Sequence, residues 1–123
     1  MDAGALGKTY QDGEIVFRQG DEGNCMYVIQ SGKVEIVRES GGESIRLAVR
    51  GEGDFFGEMS IFEKEVRMAT VRALGPVRVL TVDKKTLFRK LQEDPSLAFR
   101  IVETLSRRIR ELSEQVSTQK PKV

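Results

Sequence analysis

Apolar and polar residues alternate through most of the first two thirds of the chain. Six segments carry that period of two: residues 14–18, 26–30, 33–38, 44–50, 67–73 and 77–83. Alternation of this kind predicts strands with one buried face. Turn-forming clusters separate them, at Gly20-Asp21-Glu22-Gly23, Ser31-Gly32, Ser40-Gly41-Gly42, Gly51-Glu52-Gly53-Asp54 and Gly75-Pro76. Short strands so spaced predict a sandwich or barrel-like roll rather than βαβ units.

After Asp83 the period changes to a helical one. Leu87, Phe88 and Leu91 make an apolar stripe on a helix over residues 84–93, and Asp94-Pro95 ends it with the proline placed to begin the next. A second helix is predicted over 95–117, where Ala98, Ile101, Leu105, Ile109, Leu112 and Val116 recur at threes and fours. The organisation is therefore an N-terminal segment (1–12), a β-roll (13–83), two C-terminal helices (84–117) and a disordered tail (118–123). Leu6 and Tyr10, four apart, make the first segment a short helix or a frayed end.

Composition narrows the chemistry. The 123 residues suffice for one domain with a core. Twenty basic against nineteen acidic residues give a net charge of +1, which calls for neither nucleic acid nor an anionic membrane. No apolar run is long enough to span a bilayer, and no secretory signal pattern is present. The chain holds no histidine, which excludes imidazole metal sites, a histidine general base and a histidine haem ligand. One cysteine, Cys25, can form neither an internal disulfide nor an iron–sulfur ligand set, and the simplest compartment is a reducing cytoplasm. Between Asn24 and Met26, with no flanking Lys, Arg or His, it is expected to pack rather than react. Gly20, Gly23 and Gly32 are expected to supply backbone angles closed to other residues.

The candidate site is Gly57-Glu58-Met59-Ser60-Ile61-Phe62 with Arg67-Met68-Ala69-Thr70-Val71 after it. Glycine permits close backbone approach, and a short apolar segment offers helix N-terminal amides. A guanidinium and such amides hold phosphate, whereas a carboxylate accepts from hydroxyl donors such as those of ribose. Alternation puts Arg67, Ala69, Val71 and Ala73 on one side. Arg67 then either faces inward, where it needs an anionic partner, or lies on an outer face or pairs with Glu58. Ser60 to Glu63 also fits a capping box, with Ser60 as N-cap and Glu63 reaching back.

Phe56-Gly57-Glu58-Met59-Ser60-Ile61 and Arg67-Met68-Ala69-Thr70-Val71 resemble the phosphate-binding cassette of cyclic nucleotide-binding domains, the family of catabolite activators and protein kinase A regulatory subunits. The spacing from Gly-Glu to Arg matches the kinase type without a gap. Gly13 to Asp21 resembles the family's opening strand, and Met26 to Ile36 its glycine-turned hairpin. Two positions depart from the pattern: Val66 stands where a proline often precedes the arginine, and Met68 where alanine, serine or threonine is common. Threonine at that second place contacts guanine in cGMP-selective relatives.

The resemblance implies a mainly β fold, a cyclic nucleotide-binding, jelly-roll-like β-roll followed by two C-terminal helices. It implies a regulatory module rather than an enzyme, with cAMP as ligand in preference to cGMP and no cofactor or metal. By the same resemblance, Arg67 pairs with the cyclic phosphate, Met59 and Ser60 donate amides to it, Glu58 accepts from the ribose 2′-hydroxyl, Gly57 gives the close approach and Met68 lies at the base. Occupancy is relayed through the C-terminal helices to an unidentified effector protein or domain. The chain contains no membrane span, and the tail after the last helix holds no helix-turn-helix for DNA. The last helix could also form the seam of a homodimer. The competing expectation is a β-roll protein-interaction domain that has lost nucleotide binding, for which Met68 is the best support.

Overall fold

Two long apolar-alternating segments carry the sheet, and every other strand hangs on one of them. The computed structural model describes residues 5–63 and 66–119. In chain order the elements are β1 (Ala5–Tyr10), β2 (Ile15–Phe17), β3 (Cys25–Ser40), β4 (Glu43–Arg50), β5 (Phe55–Phe56), α1 (Met59–Phe62), β6 (Thr70–Asp83), α2 (Lys84–Glu93) and α3 (Ser96–Gln119). All strand pairs are antiparallel, in the order β1-β6-β3-β4, with β2 also on β6 and β5 also on β3. Ile29, Val34, Phe56, Val71, Val77 and Val79 are almost completely buried between them. The architecture is the mainly β roll with C-terminal helices that the alternation predicts.

The central pair departs from expectation. Ser31-Gly32 does not turn a hairpin; β3 runs on from Cys25 to Ser40, and Gly75-Pro76 likewise lies inside β6. The two glycine sites face each other, where the register slips between Ile29 and Ser31 and again between Ser31 and Lys33. Gly32 has φ +86°, and a Cβ there would strike the Pro76 carbonyl. Both strands bend together at this point, so the turn signal marks a bulge pair within a continuous ladder. The true hairpin is at Gly41-Gly42, both with positive φ, between the paired residues Ser40 and Glu43.

Residues 5–10 form a strand rather than a helix. They pair with residues 77–82 of β6, and Tyr10 is buried in the core. Four-residue spacing suited a helix, but the open edge of β6 takes up this segment's backbone groups. Across the middle of the sheet, the buried Glu35 of β3 accepts from Arg72 of β6 (3.1 and 3.2 Å) and from Arg46 of β4 (3.3 Å). One carboxylate thus ties three strands.

The chain divides into two compact units between Leu87 and Phe88. In the first, α2 starts on a side-chain cap, the Thr86 amide donating to Asp83 at 2.8 Å. In the second, Asp94 accepts from the Ser96 hydroxyl and amide at 2.5 and 3.1 Å. The Ser96 hydroxyl above all, with Arg100 assisting, holds the Asp94 carboxyl below the usual carboxylate range. Helix α3 continues to Gln119, beyond its expected end, so the tail expected over 118–123 is helical at its first two residues and otherwise lies outside the described residues. Among the described residues no helix is long and apolar enough to cross a membrane.

Gly32→Ala tests the bend. The left-handed backbone and the collision with a main-chain oxygen together should cost about 2 kcal/mol or more. Denaturant titration would read this as a lower midpoint at unchanged slope, and a variant as stable as the parent would mean that the bend relaxes freely.

Candidate functional site

The site begins with aromatic residues that hold the start of the cassette against the sheet. Strand β5 pairs with β3 at Tyr27 and Val28, and Phe56 stacks on Tyr27 with ring centroids 5.1 Å apart. Phe17 of β2 closes the cluster at 5.7 Å from Tyr27 and 6.0 Å from Phe56. Burial, with the adjacent Cys25 side chain adding to it, pushes the Tyr27 phenol far above its ordinary range, so it stays protonated.

From this cluster the chain swings through Gly57, φ +77°, into the single turn of α1. Glu58, half-buried, occupies the N-cap position, and Ser60 is inside the helix rather than capping it. The expected capping box is therefore absent. Ser60 is buried, and its hydroxyl faces the carbonyls of Gly57 (3.0 Å) and Cys25 (3.1 Å) as donor, while Glu63 ends the helix. A hydroxyl next to two inward carbonyls satisfies more buried groups there than at the cap. The helical ladder begins with the Ile61 amide donating to Glu58, which leaves the Met59 and Ser60 amides without a partner inside the helix.

Arg67 does not belong to β6, which starts at Thr70. Its backbone is pinned instead to the turn at 20–21: its amide donates to the Asp21 carbonyl at 2.7 Å, and its carbonyl accepts from the Gly20 amide at 2.8 Å. The side chain turns inward and is only 5% exposed. Nη1 donates to the Gly57 carbonyl and Nη2 to the Cys25 carbonyl, both at 2.9 Å. The guanidinium carbon lies 4.1 Å from the centre of the Phe17 ring and 5.7 Å from that of Tyr27. Nε has no acceptor, and among the described residues no carboxylate pairs with this cation. Its acceptors are neutral carbonyls rather than Glu58.

Two glycines make room for it. A Cβ on Gly23 would collide with the guanidinium, and one on Gly57 would sit 2.7 Å from Nη1. Gly23 has no positive φ, so close approach and not backbone freedom explains this glycine. Cys25 also differs from expectation. Its Sγ is 3.8 Å from Arg67 Nη2, a neighbour 42 residues away that local sequence does not reveal.

The structure thus gathers Gly57, Ser60 and Arg67 at one point, with Glu58 at the start of α1. Met59 and Met68 are exposed, at 40% and 46%. Phe17, Gly23, Cys25 and Tyr27 are the members that sequence reasoning did not assign to the site. Beside it, a cavity of about 400 Å³ is bounded by Glu22, Gly23, Asn24, Ser60, Ile61, Val66 and Lys84. A buried cation, helix-start amides and a carboxylate on one short segment suit a ligand that combines an anion with hydroxyl groups.

Comparison with known proteins agrees with this chemistry. The family profile of the cyclic nucleotide-binding domain matches residues 7–94. The cAMP-dependent protein kinase regulatory subunit of Schizosaccharomyces pombe is 43% identical over 83 residues, 68% of this chain and 19% of the relative. The cyclic AMP receptor protein of Thermus thermophilus is 33% identical over 105 residues, 85% of this chain and 49% of the relative. The crystal structure of the Thermus thermophilus catabolite activator protein superimposes with a TM-score of 0.83 at 30% identity, covering 93% of this chain and 54% of that one. The chain therefore spans half or less of the length of these curated relatives.

Gly23→Ala should expel the guanidinium from its cradle. Because a backbone-borne methyl cannot yield as a flexible side chain can, we expect a loss of about 1–3 kcal/mol in stability. Arg67→Ala should cost a similar amount, since it withdraws donors from two inward carbonyls and leaves a void. Thermal melts of both variants check this, and an unshifted Arg67→Ala would mean that the arginine serves ligand alone.

Proposed function

The chain belongs to the cyclic nucleotide-binding domain family, and from that premise we propose that it is a regulatory module whose ligand is cAMP, captured by Arg67 and the start of α1. The observation that carries this is the buried, unneutralised guanidinium. A charge held, among the described residues, only by neutral carbonyls gains most from an anion, and a cyclic phosphate brings one in reach of Arg67 and of the Met59 and Ser60 amides. Glu58 accepts from the ribose 2′-hydroxyl, and Gly57, with φ +77°, turns the chain into α1 so that carboxylate and amides come to one ligand. Met68 lies at the base; lacking a hydroxyl, it offers no donor or acceptor to guanine, which favours cAMP over cGMP. The names of the kinase regulatory subunit and the receptor protein, both of which specify cAMP, support the same choice.

The module acts by binding rather than by catalysis, and its output runs through α2 and α3 to an effector. A ligand that grips the charged site in one conformation more tightly than in another shifts the balance between them. The lone thiol of Cys25 fits a cytoplasmic setting. For assembly, α3 carries its own signal: Val102, Ile109 and Val116 recur every seven residues and are 63%, 65% and 66% exposed, with Leu105 and Leu112 three residues after the first two. β-Branched residues at one core position and leucine at the other favour a parallel two-stranded coiled coil. A homodimer through α3 follows.

Thermal unfolding with cAMP, cGMP and 5′-AMP tests the ligand. At about a hundred times its dissociation constant a ligand adds roughly 2.7 kcal/mol. A shift with cAMP and none with 5′-AMP is expected, and Glu58→Gln should weaken cAMP by roughly tenfold or more, the worth of one hydrogen bond to a charged acceptor. No shift with either cyclic nucleotide, from protein free of co-purified ligand, would favour the interaction-domain reading.

Sedimentation tests the seam. Wild type should be a dimer and Ile109→Lys a monomer with undiminished helicity. A wild type that stays monomeric at all concentrations would remove α3 as the interface.

A further inference from the structure

Cys25 carries a nucleophile that the proposed binding scheme leaves idle, and a buried guanidinium lies against its sulfur. Arg67 Nη2 bonds the Cys25 carbonyl at 2.9 Å and lies 3.8 Å from the sulfur of the same residue. The guanidinium is 5% exposed, its Nε has no acceptor, and no carboxylate among the described residues neutralises it. Among the described residues its acceptor atoms are the Gly57 and Cys25 carbonyl oxygens and the Cys25 sulfur. Of these only the sulfur can be made anionic by covalent chemistry. Cys25 is half-buried, and the three residues before it, Glu22, Gly23 and Asn24, border the cavity of about 400 Å³.

We propose that Cys25 is a redox modification site, at which a peroxide installs an anion that competes with the ligand phosphate for Arg67. This rests on the reading that Arg67 takes the phosphate. The sulfur, as thiolate, attacks one oxygen of hydrogen peroxide, and an S–O bond forms as the O–O bond breaks. The departing hydroxide takes the proton of the new S–OH group and leaves as water, so that a sulfenate anion remains; the thiol's own proton has gone to solvent. Sulfur loses two electrons and peroxide gains them. The sulfenate oxygen lies beside Nη2, where a charge-assisted hydrogen bond engages the guanidinium from within. With a single cysteine in the chain, no resolving thiol of its own follows. An external thiol therefore reverses the step: one thiol displaces the oxygen as water and forms a mixed disulfide, and a second releases the Cys25 thiol. The site is thereby coupled to the redox state of its surroundings, and oxidation lowers nucleotide affinity.

The experiment has two arms. In the first, the reduced full chain is titrated with cAMP by calorimetry, then again after hydrogen peroxide and again after dithiothreitol, with sulfenate counted in parallel aliquots by the mass of its dimedone adduct. The dissociation constant should rise by about tenfold or more as the adduct approaches one per chain, the worth of one charge-assisted bond, and return on reduction. Cys25→Ser taken through the same cycle should show no reversible change. In the second arm, the rate of dimedone labelling under peroxide is compared between wild type and Arg67→Gln, with no nucleotide present; labelling should be several-fold slower in the variant. Absence of an adduct at Cys25, an adduct with unchanged affinity, or equal labelling of the two proteins would overturn the proposal. An equal and irreversible loss in Cys25→Ser would overturn it too, tracing the effect to the exposed thioethers of Met59 and Met68. Reduced wild type that binds no cyclic nucleotide would instead overturn the ligand assignment; in that case the phosphate-competition claim falls with it, and equal or unequal labelling decides whether Arg67 activates the thiol.

Discussion

A guanidinium inside a small β-roll has to be held by something, and much of the local structure around the site is arranged to hold Arg67. Desolvating a cation without a counter-ion is expensive, and here the cost is met by two carbonyls, the faces of Phe17 and Tyr27 and the omission of two side chains. Gly23 and Gly57 are bare because the guanidinium lies against them. Phe17 and Tyr27 present their rings to the cation, and Phe56 packs against both of them. Ser60 turns inward to the same two carbonyls that Arg67 uses. These contacts offset the charge without cancelling it, which is the condition for a site that responds to an anion.

The sheet provides what these contacts need, a rigid wall at a defined distance. Because β3 and β6 bend together at facing glycine sites, one continuous ladder delivers Cys25 at one end and Thr70 near the other. The turn at 20–21 then clamps the Arg67 backbone from outside the sheet. Strand β5, two residues long, hangs from β3 and places Phe56 and Gly57 beside Tyr27. Position along the ladder thus fixes which carbonyls meet the guanidinium. A one-residue slip in this pairing would turn Tyr27 and Cys25 to the opposite face and dismantle the cradle.

In the proposed scheme the same geometry joins ligand capture to thiol chemistry. Nη2 of Arg67 touches both oxygen and sulfur of one residue, and in that scheme an anion formed on the sulfur and an anion brought by a ligand draw on the same guanidinium. A buried cation has few donors to share. Mutually exclusive use of one guanidinium is the simplest way for a site of this size to answer to two inputs.

Local periodicity was sufficient, from sequence alone, for the mainly β architecture and the two C-terminal helices, and the resemblance of the stretch from Phe56 to Val71 to a known cassette was sufficient for the family. These features depend on neighbours one to ten residues apart, within reach of alternation, helical spacing and turn chemistry. What only the tertiary structure decided lay at longer range. Ser31-Gly32 and Gly75-Pro76 carry ordinary turn signals, and they become a paired bend only because each faces the other across a ladder. Residues 5–10 fit a helix by spacing and became a strand because β6 had an edge to fill. Ser60 matched a capping box and was claimed instead by carbonyls from β3 and from Gly57. Gly23 and Cys25 looked locally structural, and their roles came from a guanidinium more than forty residues further along the chain. Local signals state what a segment can form; which of those forms survives is set by the backbone groups and charges that folding brings against it, and those are not written in its immediate neighbours.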